Sequence, residues 1–311
     1  MMLEVRSKDA VADGVVSLTL SRPDGGRLPD WTPGSHIDLI LPDGTTRQYS
    51  LCGDRWDAHS YRIAVLREPA GRGGSAYVHD RLALGSPVGA GAPRNNFPLV
   101  PAERYLFIAG GIGITPLLPM IRQAELMRVE WQLLYGGRTR ASMAFRDEMS
   151  GAYGDRVRLV PQDECGLLDL ATWLAEPASG TKVYCCGPPP LLNAVEQACT
   201  AWPPHCLRTE RFAAAKQTEP VRSTPFEVEL RRTGSTVTVE PGVSVLHAVR
   251  RAGVDLLSSC EQGTCGTCLT PVLEGVPDHR DALLAEHERA ANDCMFPCVS
   301  RSCGDRIVLD I

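Results

Sequence analysis

No run of eighteen apolar residues occurs anywhere in this 311-residue chain, so no segment reads as a membrane-spanning helix. The opening MMLEVRSKDAVADG lacks the basic stretch followed by an apolar one that marks a secretory leader. A cytoplasmic protein with no membrane partner is the expectation. Excess positive charge is missing too: the formal net charge is −5, which argues against nucleic acid as a partner. No internal repeat or low-complexity tract appears. What remains, 43% hydrophobic and 22% charged residues, is the composition of an ordinary globular protein, long enough for two or three domains.

Cysteine, by contrast, is plentiful: there are twelve. In a reducing compartment they stay thiols, so a cysteine-rich chain there points to metal or redox use of some of them. Charge is also unevenly spread. Residues 226–311 carry eight arginines against thirteen acidic residues, a net −5, and the rest of the chain balances to zero. An acidic C-terminal third suits steering towards a basic partner surface, although a merely solvated acidic face has the same composition.

Hydrophobic periodicity divides the chain into three. Residues 1–103 hold short alternating runs, VVSLTL (15–20), SHIDLILP (35–42) and YRIAVLRE (61–68), separated by Gly/Pro/Asp clusters, as in a barrel or sandwich. In residues 104–222 apolar runs precede helical ones: YLFIAG (105–110) before TPLLPMIRQAELM, WQLLYGG (131–137) before ASMAFRDEM, and KVYCCG (182–187) before PPPLLNAVEQACTAW. Strand then helix, repeated, means a parallel α/β sheet. AAAKQTEPVRSTP (213–225) reads as a linker. In residues 223–311, FEVELRR and STVTVE read as a hairpin and VSVLHAVRRAG as a helix, before a cysteine-bearing loop.

That loop carries the most specific chemistry. Cys260, Cys265 and Cys268 lie in SCEQGTCGTC, and Cys298 follows in MFPCVSR; C-x4-C-x2-C…C is the plant-type [2Fe-2S] spacing. Gly263 and Gly266 let the loop wrap so that amides can face the sulfurs. A four-cysteine zinc site is the alternative, but such sites use paired C-x2-C knuckles and only one is present. Cys294 and Cys303 are nearby rivals for the fourth ligand. The other cysteines suit small buried hydrophobes.

Two further constellations are weaker singly. Arg47-Gln48-Tyr49-Ser50 closes an expected strand, and Gly71-Arg72-Gly73-Gly74-Ser75 follows. A flavin phosphate needs a fixed cation and close backbone amides, and a hydroxyl can hydrogen-bond flavin N5. Gly110-Gly111-Ile112-Gly113-Ile114-Thr115-Pro116 lies between a strand and a helix, where a dinucleotide's phosphates could meet amides. Cys185-Cys186-Gly187-Pro188 ends a later strand, and its thiol could lie beside the nicotinamide C4. After RVRLV (156–160), Asp163 or Glu164 could accept bonds from a free ribose 2′-OH, while Arg138 and Arg140 could hold a 2′-phosphate. NADH is the expected coenzyme.

Taken together, RQYSLC, GRGGS, AGGIGITP, VYCCGP, STPFEVEL, SSCEQGTCGTC, DHRD and CVSR resemble the phthalate dioxygenase reductase family, which includes vanillate demethylase reductases. The resemblance covers essentially the whole chain. It implies an N-terminal antiparallel flavin-binding β-barrel, a central parallel α/β nucleotide-binding domain and a C-terminal β-grasp plant-type ferredoxin domain. It further implies FMN rather than FAD, with Arg47, Gln48, Tyr49 and Ser50 at the flavin and Ser50 near N5. Ala64, Val65 and Leu66 would line the flavin, Arg72, Gly73, Gly74 and Ser75 would cradle its phosphate, and Thr115 and Phe226 would approach the ring. Gly110, Gly111, Gly113, Cys186, Gly187 and Pro188 would serve the nucleotide, with Ser50, Thr115 and Cys186 nearest the hydride, and the family's ribose-binding acid falls on either Asp163 or Glu164. Cys260, Cys265, Cys268 and Cys298 would hold the cluster. The implied partner is a terminal Rieske-type oxygenase acting on an aromatic acid, supplied with electrons by a monomeric reductase; a diiron or haem monooxygenase is the rival acceptor, and a zinc-bound interaction module the rival of another class.

Overall fold

The computed structural model describes residues 1–71, 73–212, 219–284 and 286–311. They form two compact units, Met1–Glu210 and Arg211–Ile311.

The first unit begins with an antiparallel sheet in the order Thr46–Ser50, Ser35–Ile40, Pro87–Ala90, Met2–Ala12, Val15–Ser21, Ser60–Leu66. Alternate residues of these strands point inward, and Leu3, Leu18, Leu20, Ile37, Leu39, Ile63 and Val65 make a single apolar core. A bridge from Leu51 to Ile63 joins the two ends of the sheet and closes the expected barrel.

A parallel five-stranded sheet follows, in the order Val157–Pro161, Glu130–Gly137, Arg104–Gly110, Thr181–Cys186, Leu207–Glu210. Strand order reverses at Arg104–Gly110, and its junction with Thr181–Cys186 is the switch point where open α/β sheets bind ligands. The helix Ile114–Met127 covers this sheet with a face of Ile114, Leu117, Leu118 and Ile121. Cys52 and Ala64 of the barrel share one core with Phe107, Leu117 and Tyr184 of the α/β part. The expected boundary at 103/104 therefore falls inside one packed unit.

One helix begins later than its sequence suggests. ASMAFRDEM was expected to be helical throughout, yet the helix is Arg146–Tyr153. Thr139 and Ser142 satisfy each other's amides around a short 3-10 turn, and Phe145, at φ 60°, breaks the path before the helix starts. The break lets Phe145 enter the core, where the Arg62 guanidinium lies 4.8 Å above its ring.

In the second unit the mixed sheet runs Ser235–Val239, Phe226–Leu230, Arg306–Leu309, Thr270–Glu274, Cys294–Met295, with the expected hairpin at one side and a parallel pair inside. Ser244 caps the helix Val245–Arg251, its hydroxyl accepting the His247 amide at 3.2 Å. That helix lays Val245, Ala248 and Val249 on Phe226, Val228, Ile307 and Leu309, a β-grasp packing.

Candidate functional site

Left-handed backbone at Glu261, Gly263 and Gly266 coils the cysteine loop on itself. The Gln262 and Thr264 amides then point at Cys260 Sγ (3.3 and 3.5 Å), and the Thr267 amide points at Cys265 Sγ (3.4 Å). The four sulfurs meet two by two. The Cys265 thiol donates to Thr267 Oγ1 at 3.2 Å, and the Cys260 thiol is brought down by its neighbour Cys265 and by the Thr264 and Gln262 donors. Cys268 is lowered by its neighbour Cys298, while Cys265 and Cys298 are both raised. Among the described residues no three cysteine, histidine or carboxylate groups converge on one ion's position. Two neighbouring pairs of thiols, with amides aimed at Cys260 and Cys265, fit a site of two irons with two thiolates each. Of the rivals, Cys294 is taken up in the strand beside Pro271, and Cys303 donates its amide to Val276.

In the barrel, Arg47 and the glycine turn come together. A Cβ on Gly74 would lie 2.7 Å from both Cγ and Nε of Arg47, so the cation rests on bare backbone. Gly73, at φ 80°, starts the short helix Gly74–Asp80, and the Ser75 hydroxyl accepts the Glu68 amide at 3.0 Å. Arg72 lies outside the described residues. Gln48 donates to Asp38 (3.1 Å), which Arg94 also grips with two bonds of 2.8 and 3.0 Å. This fixes the strand that ends in buried Ser50; Tyr49 packs on the barrel core, its phenol pushed up to about 12 by burial. Ala64 and Val65 are buried and Leu66 half-buried on the strand Ser60–Leu66. A cation on an open glycine turn fits a phosphate.

At the switch point, the two nucleotide loops touch backbone to backbone. A Cβ on Gly113 would enter the Cys186 carbonyl, and one on Gly110 would lie 2.7 Å from Pro188 Cδ; Gly187 has Gly110 Cα only 3.0 Å from its own missing Cβ. Gly111, at φ 54°, opens the turn, and buried Thr115 closes it with a 3.0 Å bond to the Ile112 carbonyl. Asp163 is exposed, its amide donating to the Arg138 carbonyl at 3.2 Å. Glu164 is engaged by Arg140 through two bonds of 3.2 and 2.8 Å. Phe226 lies in the core of the second unit with the Arg301 guanidinium 5.0 Å above its ring.

Comparison with known proteins agrees with this geometry. Residues 107–197 match the oxidoreductase NAD-binding domain and residues 228–303 the 2Fe-2S iron-sulfur cluster binding domain. The chain is 43% identical over 302 residues to a phenoxybenzoate dioxygenase subunit beta of Ectopseudomonas oleovorans, covering 96% of this chain and 94% of that one. The structure of phthalate dioxygenase reductase, described as modular for electron transfer from pyridine nucleotides to [2Fe-2S], superposes with TM-score 0.74 at 35% identity, covering 100% of this chain and 98% of the other. The chain belongs to the phthalate dioxygenase reductase family. An intact type IV self-sufficient cytochrome P450 monooxygenase also matches, at TM-score 0.93 and 42% identity; the match covers 100% of this chain, which spans 41% of that longer one. As a family member the chain is an oxidoreductase with an NAD-binding domain and a 2Fe-2S domain.

One residue beside the family's nucleotide crevice escapes sequence reasoning. Glu210 ends the strand Leu207–Glu210 in register with Cys186, whose thiol donates to Glu210 Oε2 at 3.9 Å. Burial raises Glu210 from 4.5 to about 8, and burial followed by the Glu210 charge raises Cys186 well above a free thiol. Each therefore has its charged form disfavoured, side by side with the other. Nothing in LRTE marks its last residue out, because the feature that matters is the partner strand.

Two outcomes follow from this geometry. Cys298→Ser should lose the cluster's visible spectrum while NADH-to-dye activity survives, since the cysteine loop and the flavin and nucleotide loops lie in different compact units; a normal cluster spectrum would move the fourth ligand elsewhere. Glu210 has its pKa raised, so its neutral form stabilises the fold most below 4.5, and the gain disappears as pH rises to about 8. Thermal melting across that window should show Glu210→Gln gaining on the parent as pH rises; a constant difference would contradict the burial of this carboxyl.

Proposed function

We propose that this chain is the NADH-dependent reductase component of a Rieske-type aromatic oxygenase or O-demethylase, passing electrons from NADH through FMN and a [2Fe-2S] cluster to the terminal oxygenase. The reading divides it into an FMN barrel (1–103), an NADH domain (104–222) and a ferredoxin domain (223–311), working as a cytoplasmic monomer. The observation that carries it is the coiled cysteine loop, whose amides face Cys260 and Cys265 Sγ, on a chain that also carries an NAD-binding domain. Relatives of nearly the same length that are named as dioxygenase components support the choice of partner.

Bound FMN would accept hydride and release electrons singly to the cluster; the redox chemistry is the cofactors' own. The protein's part is positioning. Arg47 over Gly74, with Gly73 and Ser75, would hold the flavin phosphate, and Gln48, fixed by Asp38, would orient the strand that brings Ser50 to the ring. The bare turns Gly110–Gly113 and Cys186–Pro188 would admit the nicotinamide, with Thr115 and Cys186 at its edges. Glu210 and Cys186, each with its charged form disfavoured, would lie together at the nicotinamide's edge. Asp163 would take the ribose hydroxyl, since Glu164 is occupied by Arg140. Cys260 with Cys265, and Cys268 with Cys298, would each hold one iron.

A haem monooxygenase is the second reading, favoured by the P450 whose chain includes a region matching this whole protein. Reconstitution separates the two, with purified Rieske oxygenases in one series and P450 haem proteins in the other. Turnover with a Rieske oxygenase is expected, and turnover confined to the P450 would overturn the proposal. Because residues 226–311 carry the net −5, added salt should slow delivery to the oxygenase while reduction of a small neutral dye stays nearly constant, the screening length being about 8 Å at physiological ionic strength. An equal fall for both acceptors would place the salt effect at NADH binding.

Arg47→Ala should weaken FMN binding by about ten- to a hundredfold, the usual worth of a charge-assisted bond at about 1.5–3 kcal/mol, with NADH affinity unchanged. Equilibrium titration of the apoprotein with each ligand checks this, and equal losses would make Arg47 a scaffold residue.

A further inference from the structure

The DHRD segment places a buried acid behind the cysteine loop. Asp281 has a fully buried side chain, and its Oδ2 accepts the amides of Leu283 (3.0 Å) and Leu284 (2.8 Å). Arg289 secures the same turn, donating to the Asp281 carbonyl at 2.6 Å and to the Leu284 carbonyl at 3.0 Å, with its guanidinium 3.7 Å from Oδ2. Among the described residues Asp281 Oδ1 has no hydrogen-bond partner; it faces His279 Nδ1 at 3.9 Å, in a side chain that is 7% exposed and whose ring nitrogens likewise find no partner among those residues. A buried carboxylate with one oxygen left unbonded is costly, so the work of the other oxygen has to offset that cost.

Both thiol pairs lean on this turn. The Ala282 amide donates to the Gly263 carbonyl at 2.9 Å, midway between Cys260 and Cys265, and a Cβ on Gly263 would lie 3.0 Å from Asp281 Cα. On the other side, Leu283 and Leu284 pack in the apolar cluster that holds Cys268, Cys298 and Phe296. The Arg280 amide reaches Ser300 Oγ, two residues beyond Cys298, at 3.3 Å. One short segment therefore touches the Cys260/Cys265 loop through its backbone and the Cys268/Cys298 pair through its leucines.

We propose that Asp281 is the positioning residue of the two-iron site: by accepting the Leu283 and Leu284 amides it fixes the turn that keeps the two thiol pairs in register. The inference rests on reading the four cysteines as a [2Fe-2S] site. The role belongs to an acceptor oxygen, so asparagine can fill it and alanine cannot.

Asp281→Ala and Asp281→Asn in the full chain, loaded with FMN, test this by the decay of the cluster's visible circular dichroism under an iron chelator. Flavin absorbance of the same samples serves as the internal control. Asp281→Ala should lose its cluster about tenfold faster than the parent, the usual consequence of leaving buried amides without an acceptor. Asp281→Asn should decay within about twofold of the parent, and the flavin signal should be unchanged in both. Parental decay in the alanine variant would overturn the proposal, as would an asparagine variant that decays as fast as alanine. Should the alanine variant emerge without a cluster, the asparagine variant decides alone. Absence of any [2Fe-2S] signal from the parent protein would sink the underlying reading instead.

Discussion

At Gly74, Gly113 and Gly263 there is no volume for a methyl group, and each of the three candidate sites is built round one of these gaps. Arg47 lies on the first, the Cys186 carbonyl on the second, and Asp281 with Val299 on the third. A flavin phosphate, a nicotinamide and an iron cluster all need backbone amides at contact distance, and a side chain would hold the opposing segment away. The surrounding elements supply the pressure that closes each gap: the barrel register that carries Arg47, the parallel pair Arg104–Gly110 and Thr181–Cys186, and the turn held by Asp281.

Much of this was legible because local pattern and final structure agree. Alternating runs became barrel strands, and strand-then-helix segments became a parallel sheet. The cysteine spacing, whose geometry is covalent and short-range, placed three thiols on one loop. Arg47 and the GRGGS turn were two weak signals whose meeting could be argued but not seen. The failures are instructive in the same terms. ASMAFRDEM has helical periodicity, but Thr139 and Ser142 offer the backbone a local alternative and Phe145 gains more by entering the core. Glu210 and Asp281 look like ordinary surface acids in sequence; what distinguishes them is the thiol beside the one and the burial of the other, both set by segments distant in the chain.

The cysteines outside the cluster loop divide along similar lines. Cys52, Cys185, Cys199 and Cys206 are buried among apolar side chains, as small hydrophobes should be, whereas Cys165 is exposed on the turn that carries Asp163. Cys186 is also buried, yet it lies at the end of a strand, beside a carboxyl, against a bare glycine turn. Burial alone thus does not distinguish Cys186 from the other four; its place at a strand end beside a carboxyl does.

Among the described residues the strand Leu207–Glu210 pairs on one side only, and Glu210 is the last residue of its unit. Anyone dissecting the chain into a free-standing flavin fragment inherits a narrow choice of end point. A cut a few residues early would strip the edge strand, expose the Cys186 strand as a new sheet margin open to unwanted pairing, and remove the carboxyl from the thiol's side. A cut after Glu210 keeps all three, so the shortest useful fragment ends where the sheet does.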